Sequence, residues 1–121
     1  MQILIIDDSA AMRMMVKRML RLVGLDGADV IEADDGDKGL AKILEEQPDM
    51  VLCDWNMPTM TGIEVLESLA EENVNPIFGF ITTEASQEMR ERATNAGARF
   101  LIAKPFTEDS VREALGPYAD L

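Results

Sequence analysis

The chain has 121 residues, of which 47% are hydrophobic, enough for the core of one domain. Its 23 acidic and 11 basic residues give a net charge of −12, which argues against binding to duplex DNA or to an anionic membrane surface. The absence of histidine excludes histidine-ligated zinc and histidine triads, and the single cysteine, Cys53, excludes an internal disulfide. No apolar run reaches the ~18 residues of a membrane span, so we expect one cytoplasmic domain over residues 1–121, without an output domain.

Five short apolar runs predict strands. Each has four or five residues, most of them β-branched or aromatic, and none alternates cleanly between apolar and polar side chains. This pattern is typical of strands buried on both faces of a sheet. The runs cover residues 3–6, 30–33, 50–53, 77–81 and 100–103.

A helical pattern of apolar residues follows each of these runs. The signals that begin or end the helices are glycines, prolines and one capping box. In chain order they are Gly24 after the first helix, Pro48 after the second, Thr61-x-x-Glu64 at the start of the third, Gly97 after the fourth, and Gly116-Pro117 after a short fifth. The apolar pattern of the fourth helix begins at Ala85.

Strands that alternate with helices predict an α/β fold, a doubly wound five-stranded parallel sheet with helices on both faces. In such flavodoxin-like folds, ligands bind at the carboxyl ends of the strands. The residues that follow the strands are therefore expected to converge on one rim. They are Asp7, Asp8, Asp54, Asn56, Thr82, Thr83, Lys104 and Pro105.

This set of side chains suits phosphoryl transfer to a carboxylate. Mg²⁺ takes oxygen ligands, and Asp8 and Asp54 can supply carboxylates, while Asp7 can bind directly or through a water. The backbone carbonyl of Asn56 is a further possible ligand. An aspartate can accept a phosphoryl group, which makes Asp54 the expected phospho-acceptor. The ammonium of Lys104 and the hydroxyl of Thr82 are expected to contact the phosphoryl oxygens.

The chain resembles the response-regulator receiver domains, and among them the stand-alone CheY-like regulators of chemotaxis. The resemblance spans the whole chain in the right order. Its motifs are Ile5-Ile6-Asp7-Asp8-Ser9, Asp54-Trp55-Asn56-Met57-Pro58-x-Met60-x-Gly62, Thr82-Thr83-Glu84-Ala85 and Lys104-Pro105-Phe106-Thr107.

The resemblance implies the strand order 2-1-3-4-5, a histidine kinase as phosphoryl donor and a domain that catalyses its own phosphorylation and dephosphorylation. It implies a monomer whose downstream protein partner binds the face formed by the fourth helix, fifth strand and fifth helix. It also assigns roles: Asp54 as the phosphorylated residue, Asp7 and Asp8 as metal ligands, Lys104 as the phosphoryl contact, Thr82 as the switch hydroxyl, Pro105 after a cis peptide bond, and Asn56 and Glu84 as residues that tune phosphoryl loss.

Four positions depart from the usual family pattern. Thr83 replaces a small residue and can narrow access to the phosphosite. Leu101 replaces an aromatic residue that turns inward on activation, and Phe100 should face the other side of the sheet. Thr61 replaces a common acidic residue and affects helix capping only. A fifth helix clipped at Gly116-Pro117 argues against the usual flagellar-motor partner.

Several alternatives stay open. The domain can act as a phosphate sink, as a phosphorelay intermediate or as a constitutive interaction module. An aspartyl-phosphate phosphatase would need a second aspartate where Asn56 stands, and a flavin phosphate would be repelled by Asp7 and Asp8.

We expect Trp55 to be partly exposed beside the site. A basic stripe on the first helix is either a solvated face or a docking surface for an acidic kinase; its members are Arg13, Lys17, Arg18 and Arg21.

Overall fold

In the computed structural model, which describes residues 1–119, five strands alternate with five helices. The strands are β1 (Gln2–Ile6), β2 (Asp29–Ala33), β3 (Met50–Cys53), β4 (Ile77–Thr82) and β5 (Phe100–Ala103). The helices are α1 (Ala10–Leu22), α2 (Gly36–Glu46), α3 (Gly62–Glu71), α4 (Gln87–Ala96) and α5 (Glu108–Ala119). No helix within the described part of the chain is long and apolar enough to cross a membrane.

The strands form one parallel sheet in the order β2-β1-β3-β4-β5. This confirms the predicted doubly wound fold and its strand order. Each predicted strand matches an observed one to within a residue at either end. The register aligns the strand ends, with Ile6 opposite both Ala33 and Cys53, so the residues that follow these strands emerge at one rim.

Each face of the sheet carries its own hydrophobic layer. Residues of α2, α3 and α4, such as Ile43 and Leu66, cover one face, and residues of α1 and α5, such as Leu20 and Leu115, cover the other. The expectation that all five strands are buried on both faces is wrong for the two edge strands. β2 and β5 are partly exposed, because each has a neighbouring strand on one side only.

Side chains cap the helix starts, as the sequence signals indicated. Thr61 and Glu64 form the predicted capping box at α3, and the φ of 108° at Gly97 confirms it as the cap that ends α4. Ser86 caps α4 by accepting a hydrogen bond from the backbone N–H of Met89. The fourth helix therefore begins at Gln87, and the prediction that Ala85 belongs to it is wrong.

The fifth helix does not stop at Gly116-Pro117. It continues to Ala119 with Pro117 inside it. The last turn is held from outside the helix, because the ring of Tyr118 lies 5.9 Å from that of Phe100 and its hydroxyl donates a hydrogen bond to the carbonyl of Arg99 at 3.4 Å. This packing outweighs the backbone hydrogen bond that proline removes.

Candidate functional site

Three carboxylates meet at the rim of the sheet. Asp7 and Asp8 follow β1 and Asp54 follows β3. The backbone N–H of Asp54 donates to the carbonyl of Ile6 at 2.9 Å, which extends the β1–β3 pairing to the rim. One carboxylate oxygen from each aspartate lies within 4.8 Å of the other two. Asp7 is buried, Asp54 is intermediate and Asp8 is exposed, so the cluster opens to solvent on one side.

Lys104 reaches this cluster from the end of β5. Its Nζ lies 3.1 Å from Oδ2 of Asp7 and 3.7 Å from Oδ1 of Asp54, and only 10% of its side chain is exposed. Its backbone N–H donates to the carbonyl of Thr82 at 2.8 Å, which sets the two residues side by side. One ammonium against three carboxylates leaves an excess of negative charge that a divalent cation can neutralise.

The electrostatic state of Asp54 reflects this excess. Burial raises the pKa of its carboxyl group, and the negative charges of Asp7 and Asp8 raise it further. The ammonium of Lys104 and the backbone N–H of Trp55 lower the pKa but do not cancel the increase. Ionised Asp54 is therefore under-compensated by the protein alone.

Asp7 is held more firmly than its neighbours. Its Oδ1 accepts a hydrogen bond from the backbone N–H of Ser9 at 2.9 Å, while the hydroxyl of Ser9 caps α1. The guanidinium of Arg13, one turn into α1, donates to the backbone carbonyl of Asp7. Arg13 was predicted only as a member of the basic stripe, and this contact was not predicted. The position of Arg13 one turn after the cap of α1 is the signal in the sequence that points to it.

The other predicted site residues lie around the cluster. Thr82 is fully buried, and its hydroxyl accepts the backbone N–H of Glu84 at 3.3 Å. The peptide bond between Lys104 and Pro105 is cis, as the resemblance implied. Leu101 is half-buried and packs with the layer under α4, whereas Phe100 packs with the layer on the other face, as predicted. The remaining three, Asn56, Thr83 and Glu84, are exposed.

Trp55 departs from expectation. It was predicted to be partly exposed, but only 7% of it is exposed. Its ring packs against that of Phe80, with the ring centroids 4.8 Å apart. The apolar layer under α3 and α4 extends to the rim and covers this side chain.

The basic stripe of α1 divides into two parts. Arg13 and Lys17 both form ion pairs with Glu32 of β2, each at 3.0 Å, so they are engaged within the molecule. The other two basic residues, Arg18 and Arg21, are exposed. They share the helix with three exposed large apolar side chains, Met14, Met15 and Leu22.

The site has the donor set of a hard-cation site. Its three clustered side chains offer only carboxylate oxygens, the ligands that Mg²⁺ prefers. Within residues 1–119 this is the only group of three or more acidic, cysteine or histidine side chains with such spacing. The residues present therefore fit a divalent cation.

Comparisons with known proteins agree with this geometry. A family model for the response regulator receiver domain matches residues 3–116. Chemotaxis protein CheY-3 of Vibrio cholerae is 41% identical over 118 residues, covering 95% of this chain and 88% of that protein. Chemotaxis protein CheY of Pseudomonas aeruginosa is 36% identical, covering 95% and 93%. The structure of Vibrio cholerae CheY4 superposes with a TM-score of 0.81 at 30% identity, covering 96% of each chain. The chain is a member of the response regulator receiver domain family.

Proposed function

We propose that this chain is a two-component response regulator that accepts a phosphoryl group on Asp54 and changes conformation to control a protein partner. The observation that carries the proposal is the rim cluster, in which Lys104 lies between the carboxylates of Asp7 and Asp54. A buried ammonium and three clustered carboxylates are costly to assemble without a ligand that uses them. Family membership supplies the reaction class.

In the proposed reaction a carboxylate oxygen of Asp54 forms a bond to phosphorus, and the bond from phosphorus to the donor breaks. From a phosphohistidine the leaving group is an imidazole nitrogen, which keeps the electron pair and takes up a proton. Lys104 faces the developing charge on the phosphoryl oxygens. Thr82, at the end of β4 beside Lys104, is proposed as the hydroxyl that moves to a phosphoryl oxygen and links phosphorylation to the switch.

Mg²⁺ is the proposed cofactor, held by Asp7, Asp8 and Asp54 with the backbone carbonyl of Asn56. When bound, the cation neutralises charge on the carboxylates and on the phosphoryl group. The exposed side chains of Asn56 and Glu84 border the site and are proposed to set the rate at which the phosphoryl group is lost.

The proposed partners are a histidine kinase and a downstream protein. A groove of about 580 Å³ lies between α4, β5 and α5, with Phe100, Pro105 and Tyr118 among its lining residues. Exposed Arg90 and Arg99 also line it, against one acidic residue, Glu113, so the groove carries an excess of positive charge. This suits a partner that combines apolar and acidic side chains. We propose this groove as the output surface, because Lys104 and Pro105 join the site to it.

Intact mass spectrometry after incubation with acetyl phosphate and Mg²⁺ tests the proposal. The expected result is a gain of one phosphoryl group that requires Mg²⁺ and is absent in Asp54→Asn. Fast hydrolysis of the phosphorylated protein would hide this gain. In that case beryllium fluoride added with Mg²⁺ should still change the fluorescence of Trp55, whose backbone N–H contacts Asp54. No mass gain together with no fluorescence change would contradict the proposal and favour a constitutive interaction module.

A further inference from the structure

Two fully packed aromatic rings lie directly beside the proposed phospho-acceptor. Trp55 follows Asp54 in the chain and is 7% exposed, and Phe80 of β4 is completely buried. The two rings are tilted by 42° with their centroids 4.8 Å apart. Phe78 continues the packing along the same strand, with its ring centroid 5.3 Å from that of Phe80. Such pairs add stabilisation beyond the burial of their area, so the Trp55 ring has a well-defined place.

The backbone around Trp55 is held on both sides. Its N–H donates to Oδ1 of Asp54 at 2.8 Å, and its carbonyl accepts the N–H of Gly62 at 2.8 Å. Gly62, the first residue of α3, has no room for a side chain, because a Cβ there would run into the carbonyl oxygen of Asp54 and the ring of Phe80. The Asp54–Trp55 segment therefore lies between the start of α3 and the Phe80 ring.

We propose that Phe80 is a positioning residue for phosphorylation: its ring fixes Trp55, and the N–H of Trp55 then orients the carboxylate of Asp54. The proposal rests on the proposed function of Asp54. A carboxylate rotates easily about its terminal torsion, so its orientation depends on the groups that contact its oxygens. Oδ1 receives the Trp55 N–H, while none of the described residues donates a hydrogen bond to Oδ2, which leaves that oxygen for the incoming phosphorus.

Phe80 is the aromatic neighbour that links this orientation to β5. It lies opposite Leu101 in the sheet register, and Leu101 packs against the same hydrophobic layer. Because Leu101 brings no ring, the rings next to the site on this face come from β4 and from the residue after Asp54. The positioning of Asp54 is therefore expected to depend on the packing of the Phe80 ring against Trp55 and not on a ring from β5.

The experiment compares Phe80→Leu with Phe78→Leu. Both positions hold fully buried rings on β4 in the same layer, but of the rings within residues 1–119 only that of Phe80 packs against the ring of Trp55. Urea unfolding first identifies conditions in which both variants are fully folded. Phe80→Met, which keeps most of the volume without the ring, replaces Phe80→Leu if the latter does not fold.

Two readouts then separate positioning from packing. In metal-free protein, hydrogen exchange of the Trp55 backbone N–H should quicken by at least about tenfold in Phe80→Leu and stay within about twofold in Phe78→Leu. The rate of phosphorylation by acetyl phosphate with Mg²⁺ should fall by about five- to tenfold in Phe80→Leu only. Trp55→Phe, which keeps a ring against Phe80 and the same backbone N–H, should retain most of the rate that Trp55→Ala loses.

Equal effects of the two phenylalanine variants, or no effect of Phe80→Leu on either readout, would overturn the proposal and make the Phe80 ring ordinary core packing. If the wild-type protein shows neither a gain of one phosphoryl group nor a change of Trp55 fluorescence with Mg²⁺ and beryllium fluoride, the proposed function fails. The exchange of the Trp55 N–H then still decides whether Phe80 orients this segment.

Discussion

Replacing Asp54 by asparagine is expected to stabilise the metal-free protein. Asparagine has the same shape and keeps an oxygen that accepts the backbone N–H of Trp55. It removes a carboxylate whose pKa is raised by burial and by Asp7 and Asp8, which means that the ionised group opposes folding at neutral pH. Lys104 keeps its closer partner, Asp7, at 3.1 Å.

The size of the effect follows from the distances. At an effective dielectric constant of about 20, two carboxylates separated by up to 4.8 Å repel by about 3–4 kcal/mol. The attraction of Asp54 to Lys104 at 3.7 Å is about 4–5 kcal/mol in the opposite direction. The repulsion acts from both Asp7 and Asp8, and that from exposed Asp8 is screened most strongly. Burial, the largest cause of the raised pKa of Asp54, adds to the cost of its charge. We therefore expect a net stabilisation of about 1 kcal/mol, or a rise in melting temperature of about 3–6 °C for a domain of this size.

Urea unfolding at neutral pH with a chelator measures this difference in the free energy of unfolding. The matched control is Asp26→Asn, which changes an exposed loop carboxylate and should alter the free energy of unfolding by no more than about 0.5 kcal/mol. Mg²⁺ at ten times its dissociation constant should stabilise the wild type by about 1.4 kcal/mol and Asp54→Asn by much less. As the pH falls and Asp54 takes up a proton in the folded state, the advantage of the variant should disappear. If Asp54→Asn is instead less stable than the wild type by about 1 kcal/mol or more, the electrostatic reasoning is refuted.

Three further changes test other parts of the structure. Glu32→Gln should lower the free energy of unfolding by less than about 1 kcal/mol, because the ion pairs of Glu32 are partly exposed. Lys17, before any other group, lowers the pKa of Glu32 below 4.5 in the folded protein. The difference in stability between the two proteins should therefore persist above pH 4.5 and vanish as the pH falls through the pKa of Glu32 in the folded state, which acid titration of both proteins would show. Gly79→Ala should cost about 1–3 kcal/mol in urea unfolding, because the new Cβ would run into the ring of Phe100, and the cost should shrink in a Phe100→Leu background. Arg18→Glu should slow transfer from the partner histidine kinase several-fold and leave phosphorylation by acetyl phosphate unchanged, while unchanged kinase transfer would mean that the exposed arginines of α1 are a solvated face.

The sheet was predictable because its signals are local and repeat. Five apolar runs without alternation match the observed strands to within a residue, and the intervening helical patterns fix the crossover connections. Burial of the outer strands was not predictable from the runs themselves. The run at residues 30–33 looks like the others, and only the strand order reveals that β2 lies at an edge.

The members of the site were predictable for a similar reason, since the carboxyl ends of parallel strands share one rim. The pairings within the site were not. The ion pair of Lys104 with Asp7 joins residues 97 positions apart, and no local pattern gives its distance or tells which aspartate lies closer. The contact of Arg13 with the carbonyl of Asp7 depends in the same way on how α1 packs on the sheet.

The fifth helix shows how tertiary packing overrides a local stop signal. Pro117 lacks the N–H that would bond to the carbonyl four residues earlier, a loss that costs about 3 kcal/mol in the middle of a helix. Here the proline falls in the last turn, and burial of the Leu115 side chain offsets the loss by about 1.5–3 kcal/mol. The partly buried ring of Tyr118 adds its contact with Phe100. Because α5 keeps its last turn against β5, a shortened helix no longer argues against a protein partner on the α4, β5 and α5 face.

Tyr118→Ala should then loosen the last turn of α5 and weaken partner binding at that groove, without changing phosphorylation by acetyl phosphate. An equal loss of phosphorylation would show instead that the Tyr118 contact supports the site itself.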